Sequence, residues 1–369
     1  MSHQTYTNPS AETYRPPPQP SKSSAELVSA FHASLPSYDP TPLIPLPTLS
    51  KDLQTGSIFI KDESTRLSLP SFKILGASWA THRALAQILN LPASTSIQKV
   101  GTAAREKGLR LVACSAGNWG RAVARMAKIL GVKARVWVPG HCHPETVANI
   151  AGEGAEVCVV EDGSYDDSIA IARKEAEETE GEVLVMDTSW EAYEEIPGWV
   201  VEGYGTMLRE VDEQVRAFTE RKVSHVVASV GVGSWAHAVV LHYKSKVPNA
   251  KVVTVEPDTA ACLKSSLEAG KIVTIRTGDT IMAGMNCGTV SKIAWPVLKD
   301  GVDVAAMVTD IESHQAVQYL RENGVNAGPC GAAPLAALRK LVKAGVLSLG
   351  PDSVIVLFST EGMREYPIP

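Results

Sequence analysis

The sequence predicts an α/β protein with open, mostly parallel twisted sheets flanked by helices, and three observations carry that expectation. Val-rich runs such as "ARVWVP" (134–139), "HVVASVG" (225–231) and "KVVTVEP" (251–257) are almost continuously apolar, as strands covered on both faces must be. Helical patterns separate these runs, so strand and helix alternate and the crossovers are expected to be right-handed. The chain has 369 residues, 44% hydrophobic and 20% charged, a length at which one core ordinarily splits. No Pro/Gly/Ser linker cuts it in two, so a smaller domain inserted in a larger one fits better than two beads on a string.

Taken in order, "MSHQTYTNPSAETYRPPPQPSKSS" has too little apolar content to pack, and residues 1–25 read as a disordered or loosely docked tail. "SIFIKDES" (57–64) reads as a strand leaving a turn. A helix follows from Phe72 to Leu89 with Ser71 as its N-cap. "RLVACSA" (110–116) is a strand and "NWGRAVARMAKILG" (118–131) a helix closed by Gly131. Strands at 134–139, 155–161 and 182–187 then alternate with helices at 144–152 and 164–179. A helix from Pro197 to Phe218 leads into the strand 225–231, a helix at 234–245 and the strand 251–257. A helix at 331–344 and the strand "SVIVLFS" (353–359) close the pattern. The expected division is a large domain of residues 26–107 and 200–369 around a small domain of residues 108–199.

Charge and composition narrow the function. Net charge is −5, from 40 acidic and 35 basic residues, and no basic run is long enough to track a phosphate backbone, so nucleic-acid binding is not expected. No run of about 18 apolar residues offers a membrane span, and residues 1–25 lack the apolar core of a secretory signal, so a reducing cytoplasm is the expected location. The six cysteines form no C-x-x-C; they read as buried thiols, with Cys262 and Cys287 a possible pair. "HCHPE" (141–145) bunches His141, Cys142 and His143, but adjacent ligands do not readily face one metal, so a loop is expected there and no metal. No G-x-S-x-G elbow occurs.

Four places could carry chemistry. In "SLPSFKILGASWA" (68–80), Lys73 sits between Phe72 and Ile74 on an otherwise core-like segment; either its stem lies along apolar surface with the ammonium in water, or it is buried to be reactive. In "SVGVGSWAHAVV" (229–240), Gly231, Val232, Gly233 and Ser234 join a strand to a helix. The glycines can adopt positive φ, and the helix start can receive a phosphate. A plain turn competes with that reading. So does a dinucleotide fingerprint, because Gly231–Ala236 fits G-x-G-x-x-A with Glu256 at the end of the next strand, as in an NAD(P)-dependent oxidoreductase. In "CSAGNWGRAVA" (114–124), Ser115 and Asn118 stand at a strand end where ligands bind, or else simply cap the helix. In "VMDTSWEAYEEIPGW" (185–199), Asp187 closes an apolar strand before Trp190 and Tyr193: a desolvated general base, or an exposed turn aspartate.

These pieces together resemble one family. "KDES" (61–64) with "SFKILGA" (71–77), an S-x-G-N-x-G turn (115–120), the glycine loop, "VEP" (255–257) and "STEG" (359–362) occur in the order found in fold-type II, tryptophan-synthase-β-like pyridoxal-phosphate enzymes. The segments "IKDEST" (60–65), "DTSWEAYEEIPGWVVEGYGTM" (187–207), "VEPDTAACLKS" (255–265) and "IMAGMNCGT" (281–289) resemble the diaminopropionate ammonia-lyases within that group. The resemblance implies two open sheets, a large cofactor domain and pyridoxal 5'-phosphate as cofactor. It implies that Lys73 binds the cofactor aldehyde covalently, burial favouring the neutral amine that a nucleophilic lysine requires. It further implies that Gly231–Ser234 bind the phosphate, that Asn118 meets the ring hydroxyl oxygen and that Phe72 packs near the ring. Ser359, or Thr360 beside it, meets the pyridine nitrogen. Ser115, with Asn118, binds the amino-acid substrate, and Asp187 removes the Cα proton. A homodimer is the usual family assembly. The family carries an aspartate immediately before the Gly-Asn pair, where this chain has Ala116, so one face of the substrate Cα lacks its acid and the L form is expected to be preferred. L-serine or L-threonine dehydration, β-replacement and a catalytically silent cofactor-binding protein are the other outcomes the same residues allow.

Overall fold

The computed structural model describes residues 4–17, 21–140, 142–163, 165–247 and 249–369. They fall into two compact units, one of residues 1–23, 37–72 and 204–369 and the other of residues 24–36 and 73–203.

The first unit is built on a seven-stranded sheet. Its strands are β1 (Thr5–Thr7), β2 (Leu43–Pro45), β3 (Ser57–Asp62), β8 (His225–Ser229), β9 (Lys251–Pro257), β10 (Val304–Val308) and β11 (Val354–Ser359), in the order β1-β10-β9-β8-β11-β3-β2. The five inner strands run parallel, and β1 and β2 close the two edges antiparallel. The centre of this sheet is apolar on both faces: all six residues of β11 are buried, as are six of seven in β9. Helices α2 (Pro47–Asp52), α9 (Ser234–Lys246), α10 (Cys262–Ala269), α11 (Trp295–Gly301), α12 (Asp310–Glu322) and α13 (Pro329–Lys343) belong to this unit.

The second unit holds a parallel four-stranded sheet, β6-β5-β4-β7, of β4 (Arg110–Cys114), β5 (Lys133–Pro139), β6 (Glu156–Val160) and β7 (Glu182–Leu184). Its helices are α1 (Lys22–Ala33, the last ten residues of it), α3 (Lys73–Ile88), α4 (Ile97–Glu106), α5 (Asn118–Leu130), α6 (Pro144–Gly152) and α7 (Tyr165–Glu178), with the first nine residues of α8 (Glu195–Phe218). Gly131 ends α5 in the left-handed conformation (φ 69°), which a residue without Cβ adopts at little cost. Gly203 is required for another reason: a Cβ there would lie 2.5 Å from the Leu75 carbonyl oxygen, so α8 can approach α3 only at a glycine.

Several expectations are revised. Residues 5–7 form the edge strand β1, paired to β10 through Thr5↔Ala306 and Thr7↔Val304, where a disordered or loosely docked tail was expected. What holds it is main-chain pairing together with Asn8, whose amide donates to the Lys299 and Val302 carbonyl oxygens at 2.8 and 2.9 Å. Polar anchoring of that kind leaves no mark in apolar content. Pro18 and residues 1–3 lie outside the described residues. Helices α3 and α4 were expected with the large domain; they pack on α5 and belong to the second unit. Cys262 and Cys287 are not joined by a disulfide.

The stretch leading to Lys73 is fixed by a buried ionic cluster in the first unit. Arg66, fully buried, donates to Glu63 at 2.7 Å and to Glu210 at 2.6 Å, and Lys61 donates to Glu210 at 2.7 Å and to the Thr41 carbonyl at 2.6 Å. Burial alone would raise the Glu210 carboxyl, but hydrogen bonds and charge from Arg66 and Lys61 bring it down to about 2.

Candidate active site

In the second unit Lys73 opens α3 and its Nζ donates to Asp187 Oδ2 at 2.5 Å. The lysine side chain is 21% exposed and the aspartate 4%, so the carboxylate is withdrawn from water while the amine stays reachable. The Lys73 ammonium also lies 5.9 Å from the centroid of the Trp119 ring. Asp187 is thus a buried partner of Lys73 and not an exposed turn residue.

Ser115 follows β4 and is buried; its hydroxyl accepts from the Gly117 N–H at 3.0 Å and lies 3.1 Å from the Gly117 carbonyl oxygen. The N-cap of α5 is Gly117, and its N–H is the one the Ser115 hydroxyl accepts. A Cβ on Gly117 would meet nothing within 4 Å, which leaves open space beside the helix start. Gly120 lets α5 sit close to its sheet, because a Cβ there would be 2.8 Å from Ser115 Cβ and Val136 Cγ1.

In the first unit the loop 231–234 joins β8 to α9. Of the two glycines that can adopt positive φ, Gly233 does so (97°) and Gly231 does not. Gly231 serves close approach: a Cβ would lie 3.1 Å from the Gly284 carbonyl oxygen and 3.2 Å from Cys287 Sγ. The Val232 carbonyl accepts from Ser291 N–H at 2.8 Å, which holds the loop from behind. The N–H groups of the first turn of α9 have no acceptor within their own helix, Ser234 adds a hydroxyl, and no acidic residue lies between Ser229 and His237. Phe72, the residue before Lys73, packs in this unit on Tyr204 (4.8 Å) and on Trp235 (5.3 Å), the second residue of α9.

Ser359 ends β11 and is fully buried, and its hydroxyl makes a long 3.5 Å approach to the Glu361 carbonyl oxygen. Thr360, the alternative, is engaged with Ser229 Oγ at 3.2 Å. Gly331 lets α13 pack directly against Ser359, since a Cβ would fall 2.6 Å from its Oγ. Sequence reading missed Gly331; no local pattern marks a glycine inside α13 as the neighbour of a strand 28 residues further on.

Glu256 has a structural task. Its carboxylate accepts from the Leu263 and Lys264 N–H groups at 2.7 and 2.8 Å, so it holds the start of α10 and is not free for a ribose. Full burial pushes it up to about 7 despite those bonds. His143 accepts from the Glu145 N–H and caps α6, while His141 lies outside the described residues.

The model of the pyridoxal-phosphate dependent enzyme family matches residues 35–360, and the chain belongs to that family. It is 35% identical to a diaminopropionate ammonia-lyase of Salmonella typhimurium over 360 residues, 91% of this chain and 88% of the relative. Among solved structures it is similar to the diaminopropionate ammonia-lyase of Escherichia coli in complex with D-serine (TM-score 0.89, 30% identity, 97% of this chain and 93% of that one). The same enzyme in complex with an aminoacrylate-PLP azomethine reaction intermediate gives a TM-score of 0.88 at 31% identity with the same coverage. The fold is therefore the fold-type II α/β arrangement, and the cofactor is pyridoxal phosphate. The residues present fit it: in the first unit the 231–234 turn holds an αL glycine and no acidic side chain and Ser359 is a buried hydroxyl, and in the second unit a lysine side chain 21% exposed is paired with a buried carboxylate.

Proposed function

We propose that this chain catalyses α,β-elimination of ammonia from 2,3-diaminopropionate, with the L form preferred, to give pyruvate and ammonia. Lys73 is the amine that holds the cofactor aldehyde, and the loop Gly231, Val232, Gly233 and Ser234 receives the phosphate. Asn118 meets the ring hydroxyl oxygen, Phe72 packs near the ring, and Ser359 faces the pyridine nitrogen as a neutral partner. Ser115, with Asn118, holds the substrate carboxylate. When bound, the cofactor supplies an electron sink for the pair left on Cα. Asp187 takes the Cα proton, and its burial keeps water from competing for that carboxylate. The departing β-amino group needs a proton as it leaves.

The observation that supports this reading most is the 2.5 Å contact between Lys73 and Asp187, which brings an amine and a desolvated carboxylate within proton-transfer reach. Ala116 supports the stereochemical part, because it offers no second acid at the turn. Homodimeric assembly and a cytoplasmic location belong to the same proposal; six cysteines outside any disulfide accord with a reducing compartment. The test is a panel of L- and D-β-substituted amino acids, serine and threonine included, assayed for keto acid and ammonia in parallel. L-2,3-diaminopropionate should be consumed fastest. Equal rates for its D and L forms would remove the stereochemical claim, and a faster dehydration of serine or threonine would remove the substrate.

A further inference from the structure

We propose that Tyr193 is a positioning residue that aims Asp187 by standing in for a missing neighbouring strand. Among the described residues β7 is the edge of its sheet and has one ladder, with β4, through Arg110↔Glu182, Leu111↔Val183 and Val112↔Leu184. The chain then runs three residues further to Asp187. Peptide groups on an open edge have no ladder partner and are free to twist or to bind water.

On the inner side the segment is held by the sheet and by one indole. The Val185 N–H donates to the Val112 carbonyl at 2.8 Å, and Trp119 Nε1 donates to the Val185 carbonyl at 3.0 Å. On the outer side Leu184 and Met186 point where a fifth strand would lie. There the Tyr193 hydroxyl donates to the Leu184 carbonyl at 2.8 Å and accepts from the Met186 N–H at 3.0 Å. In a parallel ladder one residue of the neighbouring strand bridges that same pair, the carbonyl of one residue and the N–H two residues on. One phenol oxygen, both donor and acceptor, does it here.

The return of the chain is also built for this. Ala192 adopts φ 68°, and Trp190 and Tyr193 pair across the turn and stack at 4.5 Å and 15°. The Tyr193 ring is partly buried, and desolvation of its hydroxyl, reinforced by the Asp187 charge, pushes that hydroxyl far above the ordinary tyrosine range despite the Met186 contact, so it keeps the proton it donates. Asp187 is the residue after Met186. Any twist of the 184–186 peptides therefore swings the carboxylate relative to Lys73.

The inference rests on Asp187 being the base, and the experiment separates the two claims. Tyr193→Phe keeps the stacked ring and removes both hydrogen bonds. In the cofactor-loaded variant kcat for L-2,3-diaminopropionate should fall by roughly ten- to a hundredfold, the range expected when a reacting group is misplaced by a fraction of an ångström to about 1 Å. KM should change little, the cofactor absorbance should persist, and the primary isotope effect with α-deuterated substrate should rise as proton removal becomes rate-limiting. A folded Tyr193→Phe enzyme with wild-type kcat and isotope effect overturns the proposal. Should that variant fail to fold, Trp119→Phe, which removes the inner anchor of the same segment, carries the test with the same readouts. Asp187→Asn is measured beside them. If it remains active, the assignment of the base fails. If it is inactive while both clamp variants behave as wild type, only the positioning role fails.

Discussion

The two units contribute chemically opposite groups. In the first, every residue assigned to the cofactor is neutral: loop amides at 231–234, the Ser359 hydroxyl and the Phe72 ring, all carried on or beside a sheet whose centre is buried on both faces. In the second, the assigned groups include a charged pair, Lys73 and Asp187, at the start of a helix and beyond the end of an edge strand. Fixed dipoles bind an anion without titrating and need no reorganisation, so a rigid core can supply them. Groups that exchange protons must be aimed one against the other, and their aim depends on local tethers more than on the central sheet.

Four substitutions break or sharpen this contrast. Lys73→Ala should lower keto acid release by roughly 10⁴-fold or more, since both the covalent anchor and the partner of Asp187 disappear. Its visible cofactor band should be gone, and borohydride should no longer fix the cofactor. Asp187→Asn should cost about 10²- to 10⁴-fold in kcat, the usual reach of a general base, while the cofactor band survives. Retained activity there would shift the proton-transfer role elsewhere.

Gly233→Ala acts on the neutral side. The site has φ 97°, and a Cβ would lie 2.9 Å from Leu298 Cδ1, so strain of about 1–3 kcal/mol is expected. Titration with pyridoxal phosphate should show weakened cofactor binding, with kcat at saturating cofactor nearly unchanged. A change in kcat equal to that in affinity would mean that the loop also shapes the reaction.

The last effect concerns stability. Glu256 is raised from its ordinary 4.5 to about 7 by burial. A carboxyl raised on folding binds its proton more tightly in the folded chain, so its contribution is full below the unfolded value and is lost as pH rises through the folded one. Between about pH 4.5 and 7 the first unit should lose on the order of 3 kcal/mol from this group. Denaturation midpoints measured across that window should fall for the wild type and stay flatter for Glu256→Gln.

Much of this was legible in the sequence where apolar periodicity dictates structure. The strands at β5, β8, β9 and β11 and the helices α5, α6 and α9 follow their Val-rich or amphipathic runs closely. Lys73, the glycine loop and Asp187 stood out because charge or glycine interrupts such runs. The short edge strand β1 did not, because hydrogen bonds and not apolar area hold it. Nor was the task of Glu256 visible: an acid at the end of a strand looks the same whether it meets a ribose or the amides of the next helix. Tyr193 drew notice only as an aromatic neighbour of Asp187. Its hydroxyl acquires meaning once β7 is known to be an edge, and sheet order is not written in any local pattern.

The seven-stranded sheet has its own borders to defend, and Thr5–Thr7 guards one of them. Behind it lies Val304–Val308, "VAAMV", a run with no charge and no proline. Deleting the first dozen residues would uncover the Val304–Met307 part of that run, with Asn8 and its two carbonyl contacts gone as well. Such a shortened chain should self-associate through intermolecular strand pairing, so the low-complexity opening acts as a seal against aggregation.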